Sequence, residues 1–207
     1  MGQLIACAAA EGVVIASDSK AIMFETGGAE RFITLERIVP VTSHAVLASA
    51  GNWEAQDICN DFAGFAKAEE LTDLNELMDA AIPFFTSRYD EILRTMCQTV
   101  PPDPIINMYL VLAGYSPKTP DHPGHLFVIW DRPKPPKIEF NKVTAVFTLP
   151  RRLGLEFRLS QLVKEKASVG AILDVARAGL EKLAGQDETI GPPFRYATIT
   201  AKGLAMV

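Results

Sequence analysis

The residues best suited to chemistry follow an apolar segment near the amino terminus. Val13–Ser17 is followed directly by Asp18, Ser19 and Lys20. A carboxylate at the end of a buried strand must be paired or hydrogen-bonded, because burying an isolated charge is costly. Asp18 could therefore be a paired or hydrogen-bonded carboxylate of a functional site, or it could only cap the next turn. The residues alone leave both roles open.

Three side chains in this part of the sequence could act as nucleophiles. Cys7 lies in the first apolar segment, and Ser17 and Ser19 flank Asp18. A reactive thiol needs a lowered pKa and solvent access. Cys7 lies among alanines, so we predict a small core residue. Ser19 is predicted to form a structural hydrogen bond, because no histidine base is evident.

A metal site would have to come from Asp121, His122 and His125, which flank Pro123-Gly124. A Pro-Gly pair is typical of a turn, and zinc would need a fourth ligand from elsewhere. We therefore expect a solvated hairpin turn. Dinucleotide-binding, P-loop and zincin motifs are also missing from the sequence, and we predict neither a metal nor a cofactor.

The elements that must position these groups come in blocks. Paired apolar segments predict hairpins over the first quarter of the chain, with Met23–Arg31 between the pairs as a loop or bent strand. Two helices follow, and we expect Thr72 to cap the second and Pro83 to kink or break it. Strands resume at Met108–Gly114 and His125–Trp130, Ser168 is predicted to cap an amphipathic helix, and strands end the chain. Because strands occur in adjacent pairs, we expect an α+β fold with two antiparallel sheets packed face to face and helix pairs outside them.

The chain has 207 residues, three cysteines and a formal net charge of −5. We expect one domain spanning residues 1–207. The odd number and wide spacing of the cysteines favour a reduced, cytoplasmic protein. No apolar run approaches the ~18 residues of a membrane span, and the acidic balance argues against nucleic acid as a partner.

Three segments carry a family resemblance in their order and spacing. Gly12–Ala21 is a glycine turn and a strand ending in Asp-Ser-Lys, Arg37–Val41 precedes a hairpin strand that ends in Ala-Gly at Gly51, and Leu112–Tyr115 precedes the strand His125–Asp131. Together they resemble proteasome-type subunits over roughly two-thirds of the chain. That family includes the 20S β subunits, the bacterial HslV peptidase and the Anbu proteins.

The resemblance implies a four-layer αββα sandwich, the fold of N-terminal-nucleophile (Ntn) hydrolases. In the family the residue at the mature N-terminus, usually threonine, attacks a peptide carbonyl, and its own α-amine acts as base. The resemblance places Gly2 at the nucleophile position and Asp18 at the family aspartate. It places Arg37 at the catalytic lysine, Gly51 at the oxyanion glycine and Asp187 at a second aspartate.

The chain departs from the family at three of its chemical positions. Gly2 supplies an amine after methionine removal but no hydroxyl. Arg37 holds its proton at any working pH, whereas a buried lysine can lose one. Ile190 stands where the family has a serine, just before Gly191. We therefore expect no threonine-type peptidase activity by the family route.

Three functions remain open at this point. The chain could be a structural or regulatory subunit of a homo-oligomeric ring or of stacked rings. It could instead be an active Ntn peptidase or amidohydrolase that uses an unrecognised nucleophile on a peptide or protein substrate. The third alternative is a non-enzymatic binding domain. All family-based readings require the amino terminus to lie beside Asp18 and Gly51.

Overall fold

The computed structural model describes residues 2–24, 30–51, 54–99, 108–116, 118, 124–133, 136–143 and 145–207. Within them the protein is a mixed α+β fold with twelve strands, all paired antiparallel, and four helices. None of these helices is both long enough and apolar enough to cross a membrane.

The elements follow one another in the order that the sequence predicts. Six strands come first: β1 (Leu4–Ala9), β2 (Gly12–Ser17), β3 (Lys20–Phe24), β4 (Glu30–Thr34), β5 (Ile38–Thr42) and β6 (Ala45–Gly51). Two helices and four strands come next: α1 (Glu54–Ala68), α2 (Leu74–Thr99), β7 (Met108–Tyr115), β8 (Gly124–Pro133), β9 (Pro136–Val143) and β10 (Val146–Leu149). The chain continues with α3 (Leu153–Lys164), α4 (Val169–Ala184), β11 (Arg195–Thr200) and β12 (Gly203–Met206).

The strands form two five-stranded sheets and one separate hairpin. The first sheet has the order β10-β1-β2-β11-β12, and the second has the order β5-β6-β7-β8-β9. The hairpin consists of β3 and β4. Every residue of β1 and β2 is buried, because apolar side chains cover both faces of these strands.

Three clusters of buried side chains make up the core. One cluster is shared by the two five-stranded sheets, a second joins the second sheet to α1 and α2, and a third joins the first sheet to α3 and α4. The side chains of β1 alternate between two of these clusters. Leu4 and Ala6 belong to the cluster between the sheets, while Ile5 and Cys7 belong to the cluster with α3 and α4. Side chains of a strand point alternately to its two faces, so one strand serves two clusters. The prediction that Cys7 is a core residue is confirmed.

Helix α2 corrects two expectations from the sequence. Of the kink or break predicted at Pro83, the break is wrong and the kink stays a prediction: the helix continues through Pro83, because Ala81 and Phe85 on either side are fully buried in the core. Burying a side chain such as Phe85 contributes about 1.5–3 kcal/mol, which offsets much of the ~3 kcal/mol cost of an interior proline. The helix is capped by Asp73, whose carboxylate accepts a hydrogen bond from Asn75 N at 2.9 Å, whereas the sequence suggested Thr72.

The structure bears on three further expectations from the sequence. Ser168 caps α4 as predicted, its hydroxyl accepting from Ala171 N at 3.2 Å. The segment predicted as a loop or bent strand, Met23–Arg31, begins and ends within the hairpin β3–β4. His125 is not in a solvated turn, because it is buried in β8 and stacks on Phe127.

Candidate functional site

Asp18 lies immediately after β2 and is fully buried. Its Oδ1 accepts a hydrogen bond of 2.8 Å from Gln3 N, and its Oδ2 accepts one of 3.3 Å from Gly191 N. Arg37 Nε lies 3.5 Å from Oδ1 and forms a buried ion pair with it. The requirement that a buried carboxylate be paired and hydrogen-bonded is therefore met on three sides.

Strand pairing places these partners around Asp18. Leu4 is opposite Ser17 in the β1–β2 pair, so the backbone of Gln3 lies beside Asp18, and Asp18 N donates to Gln3 O at 3.1 Å. Arg195 is opposite Ser17 on the other side. The segment before β11 therefore passes the same strand end and supplies the N–H of Gly191.

Arg37 comes from the second sheet, just before β5, and is 1% exposed. Its Nη2 donates to Lys20 O at 2.9 Å. Its own carbonyl accepts from Ser49 N of β6 at 2.8 Å. The arginine is thus fixed at its backbone and at its guanidinium, and it connects the second sheet to the end of β2.

Gly2 is buried against this ion pair. A Cβ atom at position 2 would lie 2.5 Å from Asp18 Oδ1, 2.5 Å from Arg37 Nη2 and 2.7 Å from Arg37 Cζ. Real Cβ atoms essentially never approach a heavy atom so closely. The structure therefore brings Gly2, Asp18 and Arg37 into direct contact and leaves no space for a side chain on the first of them.

Burial is the main influence on the ionisation of the pair. It raises the pKa of Asp18, and the Arg37 charge and the N–H groups of Gln3 and Gly191 act in the opposite direction. Burial lowers the pKa of Arg37, and the charge of Asp18 opposes that change. Removal of either partner would leave the other as an uncompensated buried charge, which is strongly destabilising.

Asp187 joins the amino-terminal strand through an intermediary rather than directly. Arg152 Nη2 lies 3.1 Å from Asp187 Oδ2, and Arg152 Nε donates to Gln3 Oε1 at 3.0 Å. Asp187 Oδ1 accepts from both the backbone N and the hydroxyl of Thr189. These hydrogen bonds of Thr189, followed by Arg152, lower the pKa of Asp187.

The same end of the molecule holds a second network that the sequence did not indicate. Glu156 accepts hydrogen bonds from Thr148 Oγ1 at 2.7 Å and from Arg151 Nη2 at 2.7 Å. Burial would raise the pKa of Glu156, but the hydrogen bonds from Arg151 and Thr148 outweigh it and lower that pKa. Arg152 and Glu156 were missed because they are about 150 positions from Gln3 and belong to no motif.

Gly51 ends β6, two residues beyond Ser49. Its φ of +99° is a conformation that favours glycine. Two residues of a strand span about 6.6 Å, so Gly51 lies about that distance along β6 from Ser49, whose N–H donates to Arg37 O. The contact between Gly51 and the amino terminus that the resemblance implies stays a prediction.

The other candidate groups are not placed for chemistry. Burial raises the pKa of the Cys7 thiol to about 12. Ser17 and Ser19 are 0% exposed, and within the described residues their hydroxyls have no hydrogen-bond partner. Asp121 and His122 lie outside the described residues, and among the rest no group of three His, Cys, Asp or Glu side chains could hold a metal ion.

Compared with known proteins, the chain matches no protein-family model and no curated protein. The centre of the candidate site is a buried glycine at position 2 that lies against the ion pair of Asp18 and Arg37.

Proposed function

We propose that this chain is a proteasome-type subunit that retains the Ntn-hydrolase site without its nucleophile, and that it serves as a structural or non-canonical ring subunit. The observation that carries this proposal is the contact of Gly2 with Asp18 and Arg37. These are the positions at which the family resemblance places the nucleophile, the aspartate and the lysine. The hairpin β1–β2 brings Asp18 beside Gly2, and Arg37 reaches both of them from the second sheet.

The proposal includes the four-layer αββα sandwich of the Ntn hydrolases. Three features support it: a core cluster shared by the two sheets, a cluster between the second sheet and α1 and α2, and a cluster between the first sheet and α3 and α4. Such a division of the core is what two stacked sheets covered by helix pairs require.

The site lacks the groups that the family reaction needs. A hydroxyl at the amino terminus would have to attack the peptide carbonyl while the adjacent amine takes its proton. Gly2 offers only the amine. Arg37 can supply positive charge but cannot release a proton at working pH. The burial of Cys7, Ser17 and Ser19 argues against an active enzyme that uses one of them instead.

We further propose that the chain assembles with copies of itself through α3. Leu153 and Phe157 are 68% and 64% exposed, and their spacing of four residues puts both on one face of the helix. Exposed apolar side chains that lie together mark interaction sites.

We also propose a cytoplasmic location. The thiols of Cys7 and Cys59 are free, which is typical of proteins in a reducing compartment.

Native and intact mass spectrometry of the purified chain, combined with a peptidase assay, tests this function. We expect an assembly whose mass is a multiple of the 22.6 kDa subunit, Gly2 as the first residue, and no hydrolysis of fluorogenic peptides above background. An inactive monomer would favour the binding-domain alternative. Hydrolysis that co-purifies with the chain and is lost in Asp18→Asn would contradict the proposal and favour an active enzyme.

A further inference from the structure

We infer that Gly2 and Arg37 form a single steric unit, in which the guanidinium of Arg37 occupies the volume that a side chain at position 2 would need. The Arg37 guanidinium, together with the Asp18 carboxylate that it pairs with, therefore restricts position 2 to glycine. The inference deepens the proposed function, because it concerns the same site, but it depends only on the packing of that site.

The geometry makes the competition for space direct. A Cβ at position 2 would lie 2.5 Å from Arg37 Nη2 and 2.7 Å from Arg37 Cζ. A contact with both the nitrogen and the central carbon of the guanidinium means that the planar group covers this position. Asp18 Oδ1, at 2.5 Å, closes the remaining direction.

A clash with the end of a long side chain costs little free energy when that side chain can move away. Arg37 cannot move freely. Its Nη2 is bonded to Lys20 O, its Nε faces Asp18, and it is almost completely buried. Asp18 is fixed in turn by the N–H groups of Gln3 and Gly191. Any displacement would break charge-assisted contacts in a site that water does not reach.

Two other glycines show that this restriction is local. A Cβ at Gly191 would lie 3.0 Å from Lys20 Cδ, in the middle of a partly exposed side chain. A Cβ at Gly64, on the exposed side of α1, would meet nothing within 4 Å. Gly64 therefore offers a matched control for the substitution of glycine by alanine.

The consequence is that the two departures from the family, glycine for threonine and arginine for lysine, are not independent. A lysine ends in a single ammonium group without the planar fork of a guanidinium. Lysine at position 37 would keep a positive charge near Asp18 and remove the two guanidinium contacts at residue 2, while the contact with Asp18 Oδ1 would remain. A side chain at position 2 and an arginine at position 37 exclude each other.

A double-mutant cycle in thermal unfolding tests the inference. Gly2→Ala is expected to lower the Tm by roughly 3–10 °C, from the typical cost of overpacking in a protein of this size. In the Arg37→Lys background the same substitution is expected to lower the Tm by a smaller amount, because the two guanidinium contacts are removed while the contact with Asp18 Oδ1 remains. Gly64→Ala, the control, is expected to leave the Tm unchanged or raise it. An equal loss from Gly2→Ala in both backgrounds, or no loss in either, would overturn the inference.

A small combinatorial library keeps the test decisive if Arg37→Lys is too unstable to measure. Position 2 is varied among Gly, Ala, Ser and Thr, position 37 among Arg, Lys, Gln and Met, and the library is sorted with a folding reporter. We expect Ala, Ser and Thr at position 2 to be at least about tenfold rarer when position 37 is arginine, the ratio that a 1.4 kcal/mol coupling gives. Equal recovery at position 2 regardless of position 37 would refute the coupling. Neither readout involves hydrolysis or assembly, so the inference and the proposed function can fail separately.

Discussion

The backbone N–H of Gly191 donates a hydrogen bond of 3.3 Å to Asp18 Oδ2 and so joins the segment before β11 to the end of β2. Ser19 N donates back to Gly191 O at 3.4 Å, and Lys20 Nζ donates to Glu188 O at 2.5 Å. The carboxylate of Asp18 therefore contacts residues next to the first sheet, next to the second sheet and in the segment after α4.

Loss of the Asp18 charge should destabilise the fold strongly. Asp18→Asn leaves Arg37 as a buried cation without its partner, a change that typically costs about 3–5 kcal/mol. The free energy of unfolding from urea denaturation measures this loss. Asp90→Asn on the exposed side of α2 is the matched control, for which a change within about 0.5 kcal/mol is expected. A similar small change for Asp18→Asn would show that the ion pair is not important for stability.

Restoring a hydroxyl at position 2 should not restore peptidase activity. Gly2→Thr supplies the family nucleophile, but its Cβ would clash with Arg37 and Asp18. We expect fluorogenic-peptide hydrolysis at the background level and unfolding at lower urea concentration than the wild type. The control is Gly64→Thr, which places the same side chain on an exposed helix surface. Hydrolysis by Gly2→Thr with an intact Arg37 would show that the site accommodates a nucleophile.

Stability should fall in acid partly through Glu156. Because its pKa is lowered in the folded state, the folded carboxylate gives stability that is fully present above its unfolded pKa of about 4.3 and is lost as the pH falls through the folded pKa. The wild type should therefore lose more stability than Glu156→Gln between about pH 5 and pH 3. Urea denaturation at a series of pH values measures the difference. The exposed Glu69→Gln variant is expected to follow the wild type, and identical curves for all three proteins would contradict the prediction.

Charge on the exposed face of α3 should disrupt self-assembly. In the variant Leu153→Asp/Phe157→Asp, two apolar side chains of a proposed interface become carboxylates that would be buried without partners. Native mass spectrometry should then show a shift from assembly to monomer, with an unchanged Tm of the monomer fold. Ile82→Asp, an exposed apolar position on α2, is expected to leave the assembly intact. Dissociation by Ile82→Asp alone would indicate an interface elsewhere.

The sequence predicted those parts of the site that depend on local pattern. Strand periodicity predicted the hairpin β1–β2 and the strand that ends at Asp18, whereas the placement of Gly2 at the site was implied by the family resemblance. The hydrogen bond between Arg152 and Gln3 could not be predicted, because it joins residues 149 positions apart and neither belongs to a motif. The guanidinium covering Gly2 was missed for a related reason, since side-chain packing depends on rotamers that a sequence does not show.

Helix ends and interior prolines were the other source of error. Thr72 and Asp73 are adjacent and both can cap a helix, and Asp73 is favoured by a second contact, because Glu76 accepts a hydrogen bond from its backbone N. Glu76 thus makes the return bond of a capping box, which could have been found from the spacing of Asp73 and Glu76. The continuity of α2 through Pro83 depends instead on tertiary burial.

The pairing of β2 with β11 has a consequence for how the molecule is made. Gly12 is paired with Thr200, so one long edge of β2 has no neighbour until residues 195–200 have been synthesised. During synthesis, the outer edge of β2 in the hairpin β1–β2 would expose unpaired backbone N–H and C=O groups on an apolar strand. Such an edge can pair with strands of other chains and cause aggregation. Nascent chains of this protein should therefore depend on chaperones more than their final stability would suggest.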